Sequence, residues 1–391
     1  MSIPYGRQSI SEDDIEAVIA VMRSDYLTQG PVVPRFEELI NRQCNSQFAV
    51  AVNSATSALH IACLALGVGR GDRVWTSAVT FVASANCARY CGANVDFVDI
   101  DDSTFNMSIN HLKQKLEEAD KTGMLPKVVI PVHLAGQSCD MESIHHLSKK
   151  YGFRILEDAS HAIGATYKGR PVGSCAYSDI SVFSFHPVKI ITTCEGGAAT
   201  TNDKELAVRM ALLRSHGVTR EIDKMHSKSN GDWHYEQIDL GFNYRMSDLH
   251  AALGASQIMR ISEFIEKRHI IANQYDSLLA NQPVATPWQH PDTHSSYHLY
   301  IVRPDSVALQ VSRNDIFAHM RTLGILVNLH YMPVYRHPHH ANFGYKRSDY
   351  PNSERYYCEA ISLPIFPGLV AEQQSEVVSA LLGRRGYQTI F

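Results

Sequence analysis

Between residues 48 and 202 the chain keeps one rhythm: short β-type runs separated by segments whose apolar residues fall at helical spacing. The runs are FAVAV (48–52), RVWTSA (73–78), NVDFVDI (94–100), KVVIPVHL (127–134), FRILED (153–158), DISVFSF (179–185) and GAATTN (197–202). Helical patterns fall between several of them, such as SALHIACLAL (57–66) and MESIHHLSKKYG (141–152). Strands that alternate with helices predict an α/β fold, with a largely parallel sheet covered on both faces.

The flanking segments extend this reading. Ser11 and Asp14 form a capping-box pattern, followed by Ile15, Val18, Ile19 and Met22 at helical spacing. After the turn-like LTQGP (27–31), Phe36, Leu39 and Ile40 mark a second amphipathic helix. From Ser247 a long helical pattern with weak breaks begins. It is followed by HLYIVRP (298–304), NDIFAHMRTLGI (314–325) and a closing EQQSEVVSALLG. These changes predict a large α/β domain over 1–250 and a smaller α/β domain over 251–391. GVGRGD (67–72) carries a GxGxG string but follows a helix and precedes a strand, the reverse of a dinucleotide fingerprint, and reads as a turn.

Charge and cysteine usage exclude several classes. A net charge of -4 leaves no footprint for nucleic acid or an acidic membrane, and Lys149–Lys150 and Arg384–Arg385 read as solvated surface. The opening residues lack the basic and apolar regions of a secretory signal, and no apolar run reaches membrane-spanning length. A cytoplasmic location is expected. The eight cysteines are scattered without a CxxC pair, which signals neither a disulfide framework nor a zinc site. Cys87 and Cys91, four apart, read as buried thiols one helical turn apart.

In open α/β sheets ligands gather at the carboxyl ends of the strands, and four predicted strand ends carry chemistry. FAVAV runs into Asn53-Ser54-Ala55-Thr56-Ser57 at a helix start, which suits either ordinary capping or an anion such as phosphate. FRILED ends in Glu157-Asp158 with Ser160-His161 beyond, readable as a cap, a structural ion pair or a functional acid. Phe81, past the second strand, suits the core or a stacking surface. DISVFSF leads to Lys189, set among Phe185, Pro187, Val188, Ile190 and Ile191. Such a lysine can snorkel to solvent, or burial can lower its pKa and make it a nucleophilic amine. Glu195-Gly196-Gly197 then forms a tight turn close to a bound ligand. A phosphate cradle, a strand-end acid, an amine and an aromatic platform together describe a site for pyridoxal 5'-phosphate, whose chemistry requires a Schiff-base lysine and an acid for its ring nitrogen.

At these residues the sequence resembles the DegT/DnrJ/StrS family of nucleotide-sugar aminotransferases, which have the fold-type I architecture. The resemblance runs end to end through NSATSAL (53–59), TFVAS (80–84), EDASHAIGATY (157–167), SFHPVKIITTCEGG (184–197), LRSHG (213–217) and GFNYRMSDLHAALG (241–254). It implies that Lys189 holds the cofactor and shuttles protons, that Asp158 pairs with the ring nitrogen, and that His161 lies beside the ring. Ala55, Thr56 and Ser184 would grip the phosphate and Phe81 would cover the ring. Asn243 would reach the cofactor of a second subunit, making the protein a homodimer with sites at the interface. IPYGRQSISEDDIEAV, LTQGP and LHYMPVY (329–335) are similar to one branch, which makes UDP-4-amino-4,6-dideoxy-N-acetyl-β-L-altrosamine for pseudaminic acid. There the resemblance implies a sugar-nucleotide pocket formed by Tyr5, Asp25, Tyr26, Leu27, Thr28, His330, Tyr331, Met332 and Pro333, together with Ala55, Ser184 and Asn243. L-Glutamate and a UDP-sugar are the implied substrates. The chain departs from many members in carrying Ala55 for Gly and Cys194 for Gly or Ala.

Other readings stay open at this level. A pyridoxamine-dependent dehydratase of the same fold would carry His in place of Lys189. A transaminase for another 4-keto-6-deoxy nucleotide sugar and a cofactor-bound regulatory protein are the remaining alternatives. Arg245 is a candidate for the glutamate carboxylates. The HPHH run (337–340) reads as a mobile histidine-rich loop rather than a metal site, and Trp233, Tyr356 and Tyr357 read as packing residues.

Overall fold

The computed structural model describes residues 2–383; the Arg384–Arg385 pair and the end of the C-terminal segment lie outside them. The seven β-type runs become β1 (Phe48–Val52), β2 (Arg73–Ser77), β3 (Asn94–Val98), β4 (Val128–Ile130), β5 (Arg154–Asp158), β6 (Ile180–Ser184) and β7 (Gly197–Thr201). All join one sheet in the order β1-β7-β6-β5-β4-β2-β3. The strands run parallel except β7, which is antiparallel to both its neighbours.

Alternate residues of each strand feed two layers. On one face Val52, Val74, Ile130, Leu156 and Val182 pack under α3 (Ala55–Ala65), α4 (Ala83–Tyr90) and α7 (Lys204–Arg214). On the other, Ala51, Phe183 and Ala198 meet α2 (Val32–Cys44), α8 (Asp248–Ile258) and the start of α9 (Ile261–Leu279). Trp75, Val98, Val129 and Ile155 on that face meet α5 (Ile109–Thr122) and α6 (Met141–Tyr151). α3 is buried along nearly its whole length, which is why SALHIACLAL shows little polar face. Cys87 is fully buried and Cys91 partly so, one turn apart and both free. GVGRGD is a turn, held where Asp72 accepts the Gly69 N–H at 2.8 Å.

A separate core forms where Tyr300–Pro304 pairs antiparallel with Val284–Ala285 and Ile361–Leu363. α9, Arg313–Thr322 and Ala371–Leu381 cover it. Ile3 belongs to this core and pairs with Ile325, so the amino-terminal residues cross to the C-terminal half.

Two carboxylates explain how the amino-terminal segment is held. Asp14 completes the capping box of α1 (Glu12–Met22) and is wholly buried. It accepts hydrogen bonds from Ser256 Oγ, Gln257 Nε2 and Arg260 Nη2, each at 2.6 Å. The long helical pattern after Ser247 divides into α8 and α9 at Met259–Arg260, beside these contacts. Because α1 docks through Asp14 and Val21, its apolar stripe of Ile15, Ile19 and Met22 faces outward, contrary to the inward face that the spacing suggests. Asp248 accepts N–H groups of Gly30 (2.6 Å), Val32 (2.9 Å) and Val33 (3.0 Å). It thereby caps α2, whose own N-cap is Pro31, and fixes the LTQGP turn against α8. Among the described residues no helix is long and apolar enough to cross a membrane.

Candidate active site

The carboxyl ends of β1, β2, β4, β5 and β6 open on one cavity of about 480 Å³. Because β7 runs the other way, the residues before it, Glu195 and Gly196, line the same cavity.

At the β1 end, Ser54 caps α3: its Oγ accepts the Ser57 N–H at 3.1 Å, and Ser57 Oγ donates to Asn53 Oδ1 at 2.6 Å. The cap satisfies one of the first-turn donors and leaves the N–H groups of Ala55 and Thr56, both on the cavity wall, unused by the helix. Ordinary capping and an anion-ready helix start are therefore compatible here. Gly197 packs against this start. A Cβ there would stand 2.4 Å from the Ala55 nitrogen, so Gly197 answers a close approach of two backbones. Cys194 lies before it in the left-handed region at φ 65°, where glycine is the easier residue.

The two consecutive carboxylates of β5 part to opposite faces of the sheet. Glu157 turns into the interior, where His133 Nε2 lies 2.7 Å away and Ser181 Oγ donates at 2.7 Å, with Ser178 Oγ as a further donor. Burial alone would raise its pKa, but these donors hold it below the usual carboxylate value. The Cys139 N–H donates to His133 Nδ1 at 3.0 Å, which leaves the ring's proton on Nε2. Glu157 is a structural acid. Asp158 faces the cavity, with Ser84 Oγ donating to Oδ2 at 2.6 Å and the Ser160 N–H to Oδ1 at 3.1 Å. Since the Ser84 proton is committed, the 2.8 Å contact from Thr80 Oγ1 must donate to Ser84.

Lys189 sits half-buried on the cavity wall beyond β6. Burial pushes its pKa down to about 8, and the charge of Asp158 offsets part of that shift. It does not snorkel. His161 Nδ1 accepts the N–H of Ala135 at 3.2 Å, so its proton is on Nε2, which donates to Tyr331 Oη at 3.1 Å. Burial, with Lys189 and His330 nearby, holds His161 well below the usual imidazole pKa, and the ring is neutral. Ala135 presents its N–H from a left-handed φ of 60°, locked by Asn106, whose Oδ1 accepts the Leu134 N–H at 2.9 Å. His330 is held by Ser362 Oγ at 2.9 Å and is pushed down to about 3 by burial and Lys189.

Lys189, Asp158, His161, Ser184, Ala55, Thr56, Phe81, Tyr5, His330 and Tyr331 thus share one cavity. Phe81 is 56% exposed and tilts against Tyr331, which removes it from the core. Asn243, Asp25, Tyr26, Leu27, Thr28, Met332 and Pro333 do not line it. Asn243 is exposed and bridges Ser215, Arg245 bridges Val52, and Thr28 bridges Ser247. Thr80, Ser84, Ala135 and His298 carry site contacts that strand-end reasoning does not reach. The four-residue spacing of Thr80 and Ser84 is the one signal for their pairing.

Two expectations are corrected. Trp233 is 68% exposed on an excursion beyond α7 and packs nothing away, whereas Tyr356 is fully buried and Tyr357 lies under Arg336. HPHH is not a loose loop: Pro338–Ala341 forms a helical turn and His340 is buried edge-on against Phe97. Among the described residues no group of three or more His, Cys, Asp or Glu could hold a metal ion.

Comparison with known proteins places this geometry. Residues 8–382 match the model of the DegT/DnrJ/EryC1/StrS aminotransferase family. The spore coat polysaccharide biosynthesis protein SpsC of Bacillus subtilis is 37% identical over 97% of this chain and 96% of its own. A sugar aminotransferase, Spr1654, from Streptococcus pneumoniae, solved in its PLP form, superposes with a TM-score of 0.87 at 30% identity, covering 98% of each chain. Helicobacter pylori PseC, an aminotransferase of pseudaminic acid biosynthesis, superposes at 0.88 with 30% identity, covering 98% of this chain and 99% of that one.

The residues present fit pyridoxal 5'-phosphate. The α3 start offers two free N–H donors for its phosphate, Lys189 an amine made nucleophilic by burial, and Asp158 a carboxylate with both oxygens held in place. His161 supplies a flat neutral surface beside them.

Proposed function

Because the chain belongs to the DegT/DnrJ/EryC1/StrS aminotransferase family and is a pyridoxal 5'-phosphate-dependent sugar aminotransferase, we propose that it acts on a UDP-linked 2-acetamido-2,6-dideoxy-hexos-4-ulose. It would transfer the amino group of L-glutamate to C4, giving UDP-4-amino-4,6-dideoxy-N-acetyl-β-L-altrosamine. The observation that carries this reading is the full-length likeness to the pseudaminic acid aminotransferase, together with Tyr5, His330 and Tyr331 on the wall of the cavity that holds Lys189.

When bound, the cofactor supplies an electron sink for the carbon that loses its proton. The chain supplies the rest. Lys189 would hold the cofactor and, when its amine is free, would take and return the proton at Nζ; a pKa near 8 leaves it able to do both near neutrality. Asp158, fixed by Ser84 and Ser160, would pair with the ring nitrogen and hold a proton there. His161, neutral and pinned by Ala135 and Tyr331, would lie beside the ring without adding a charge. Keeping the wall apolar around Val132, Val188 and Leu329 limits water beside the reacting carbon.

A homodimer is part of the same reading. Ile15, Ile19, Met22, Tyr26 and Leu27 form an exposed apolar stretch on the amino-terminal segment, a surface of the kind a partner covers. Asn243, which its own cavity does not use, would serve the partner's. The 37% identity to a spore coat polysaccharide protein, higher than to the pseudaminic acid enzyme, favours a second reading in which another nucleotide-linked 4-keto-6-deoxy sugar is aminated. Incubation with L-glutamate and a panel of UDP-linked 4-keto sugars, with products identified by mass and NMR, decides between them. Amination of a different sugar only would overturn the first reading.

A further inference from the structure

Behind the cavity wall lies a positive charge without a counter-ion. Arg268, on α9, is 1% exposed. Its Nη1 donates to the carbonyls of Tyr297 (3.0 Å), His298 (3.3 Å) and Ile365 (3.1 Å), and its Nε has no partner. Among the described residues no carboxylate pairs with it. Burial lowers its pKa to about 10, so the guanidinium stays charged near neutrality. A buried charge is costly unless it is compensated, and the three carbonyls are its visible compensation.

The residue tied to Arg268 through its carbonyl, His298, is on the cavity wall. Its side chain is buried, the residue being 4% exposed, and its ring lies 4.3 Å from that of His161. Nδ1 is sealed from solvent and has no hydrogen-bond partner, which leaves Nε2 as the nitrogen able to meet a ligand. Burial, with His161, Lys189, Arg268 and His330 around it, keeps the ring neutral. Among the described residues Lys189 is the one lysine or arginine lining the cavity, and its chemistry is already committed.

We propose that His298 hydrogen-bonds a carboxylate of the amino donor, with Arg268 behind it supplying the attractive field: together they form an anion subsite on the inner wall. The inference rests on the transaminase reading. Two anions could visit the cavity, the donor's carboxylate and the diphosphate of the sugar nucleotide. The α-carboxylate is one bond from the carbon that loses its proton, whereas the diphosphate is separated from C4 by the sugar ring. A group packed beside His161 and close to Lys189 therefore meets the carboxylate.

The test uses holoenzyme with His298→Phe, which keeps the bulk but removes both nitrogens, and His298→Asn, which retains a donor. The donor half-reaction is followed against L-glutamate, and the sugar half-reaction is followed separately from the pyridoxamine form. Calorimetry of 2-oxoglutarate on the pyridoxal form, which has no amino group to give it, gives a readout that needs no turnover. We expect His298→Phe to raise the half-saturating glutamate concentration and the 2-oxoglutarate Kd at least tenfold. The sugar constant should stay within twofold, and His298→Asn should fall between. Unchanged glutamate and 2-oxoglutarate constants overturn the proposal, as does a rise in both arms together, which would mean a disturbed cavity. A rise confined to the sugar arm assigns the anion to the diphosphate and also overturns it. If His298→Phe fails to fold, His298→Asn decides by the same comparison. Wild-type protein that binds 2-oxoglutarate but aminates no sugar would sink the functional reading while leaving the subsite to the calorimetry.

Discussion

Ser84 Oγ donates to Asp158 Oδ2 across 2.6 Å and is itself held by Thr80 Oγ1 at 2.8 Å. Both hydroxyls are buried, so the carboxylate is oriented by a relay that water does not supply. Ser84→Ala should leave a folded protein whose kcat falls about tenfold, the loss of about 1.5 kcal/mol expected for a hydrogen bond to a charged group. Ser84→Thr should restore most of it, and the absorption band of the bound cofactor should titrate differently in the alanine variant. Unaltered kcat and spectrum would show that Asp158 needs no such support.

The amine of Lys189 should titrate near 8 rather than near 10.5. Burial favours the uncharged form, so the nucleophilic fraction rises with pH and levels off above that midpoint. The rate at which cofactor-free protein captures pyridoxal 5'-phosphate, corrected for the cofactor's own titration, should follow this curve. A rate still climbing through pH 10 would place the lysine in water.

Gly197→Ala puts a methyl group 2.4 Å from the Ala55 nitrogen and 2.6 Å from the Ser54 carbonyl carbon, both backbone atoms. The start of α3 must move, and with it the N–H groups facing the cavity. Cofactor affinity should fall at least tenfold, measured by equilibrium titration on protein of near-native circular dichroism. Native affinity would mean that this helix start does not hold the phosphate.

Much of the framework was readable in the sequence because strands buried on both faces leave continuous apolar runs, and all seven runs meet in one sheet. The residues that follow them reach the cavity by topology alone, which is how Lys189 and Asp158 could be singled out. Sequence could not say which of Glu157 and Asp158 faces the cavity, since only the sheet's pleat and the donors of His133, Ser178 and Ser181 separate them. Nor could it find His298: HLYIVRP reads as the start of a strand, and its meaning comes from Arg268, thirty residues earlier and on another element. The outward stripe of α1 defeats a burial argument for the opposite reason, because a carboxylate, Asp14, does the docking.

Asn243 is exposed and outside its own cavity. If it serves a second subunit, Lys189→Ala and Asn243→Ala proteins should each be impaired, the former essentially inactive. Mixing them with subunit exchange should return roughly a quarter of wild-type activity, since about half the dimers then carry one intact site. Native mass spectrometry of differently tagged chains verifies exchange. Heterodimers whose activity stays at the parents' sum would confine Asn243 to its own chain.

The account stands on one covalent assignment, that the amine beyond β6 anchors the cofactor. Borohydride reduction of the holoenzyme, followed by peptide mapping, measures it directly. The account predicts a yellow protein that loses its colour on reduction and carries the pyridoxyl group on Lys189, in the peptide containing SFHPVKIITTCEGG. An adduct on any other lysine, or none after saturation with pyridoxal 5'-phosphate, would contradict it.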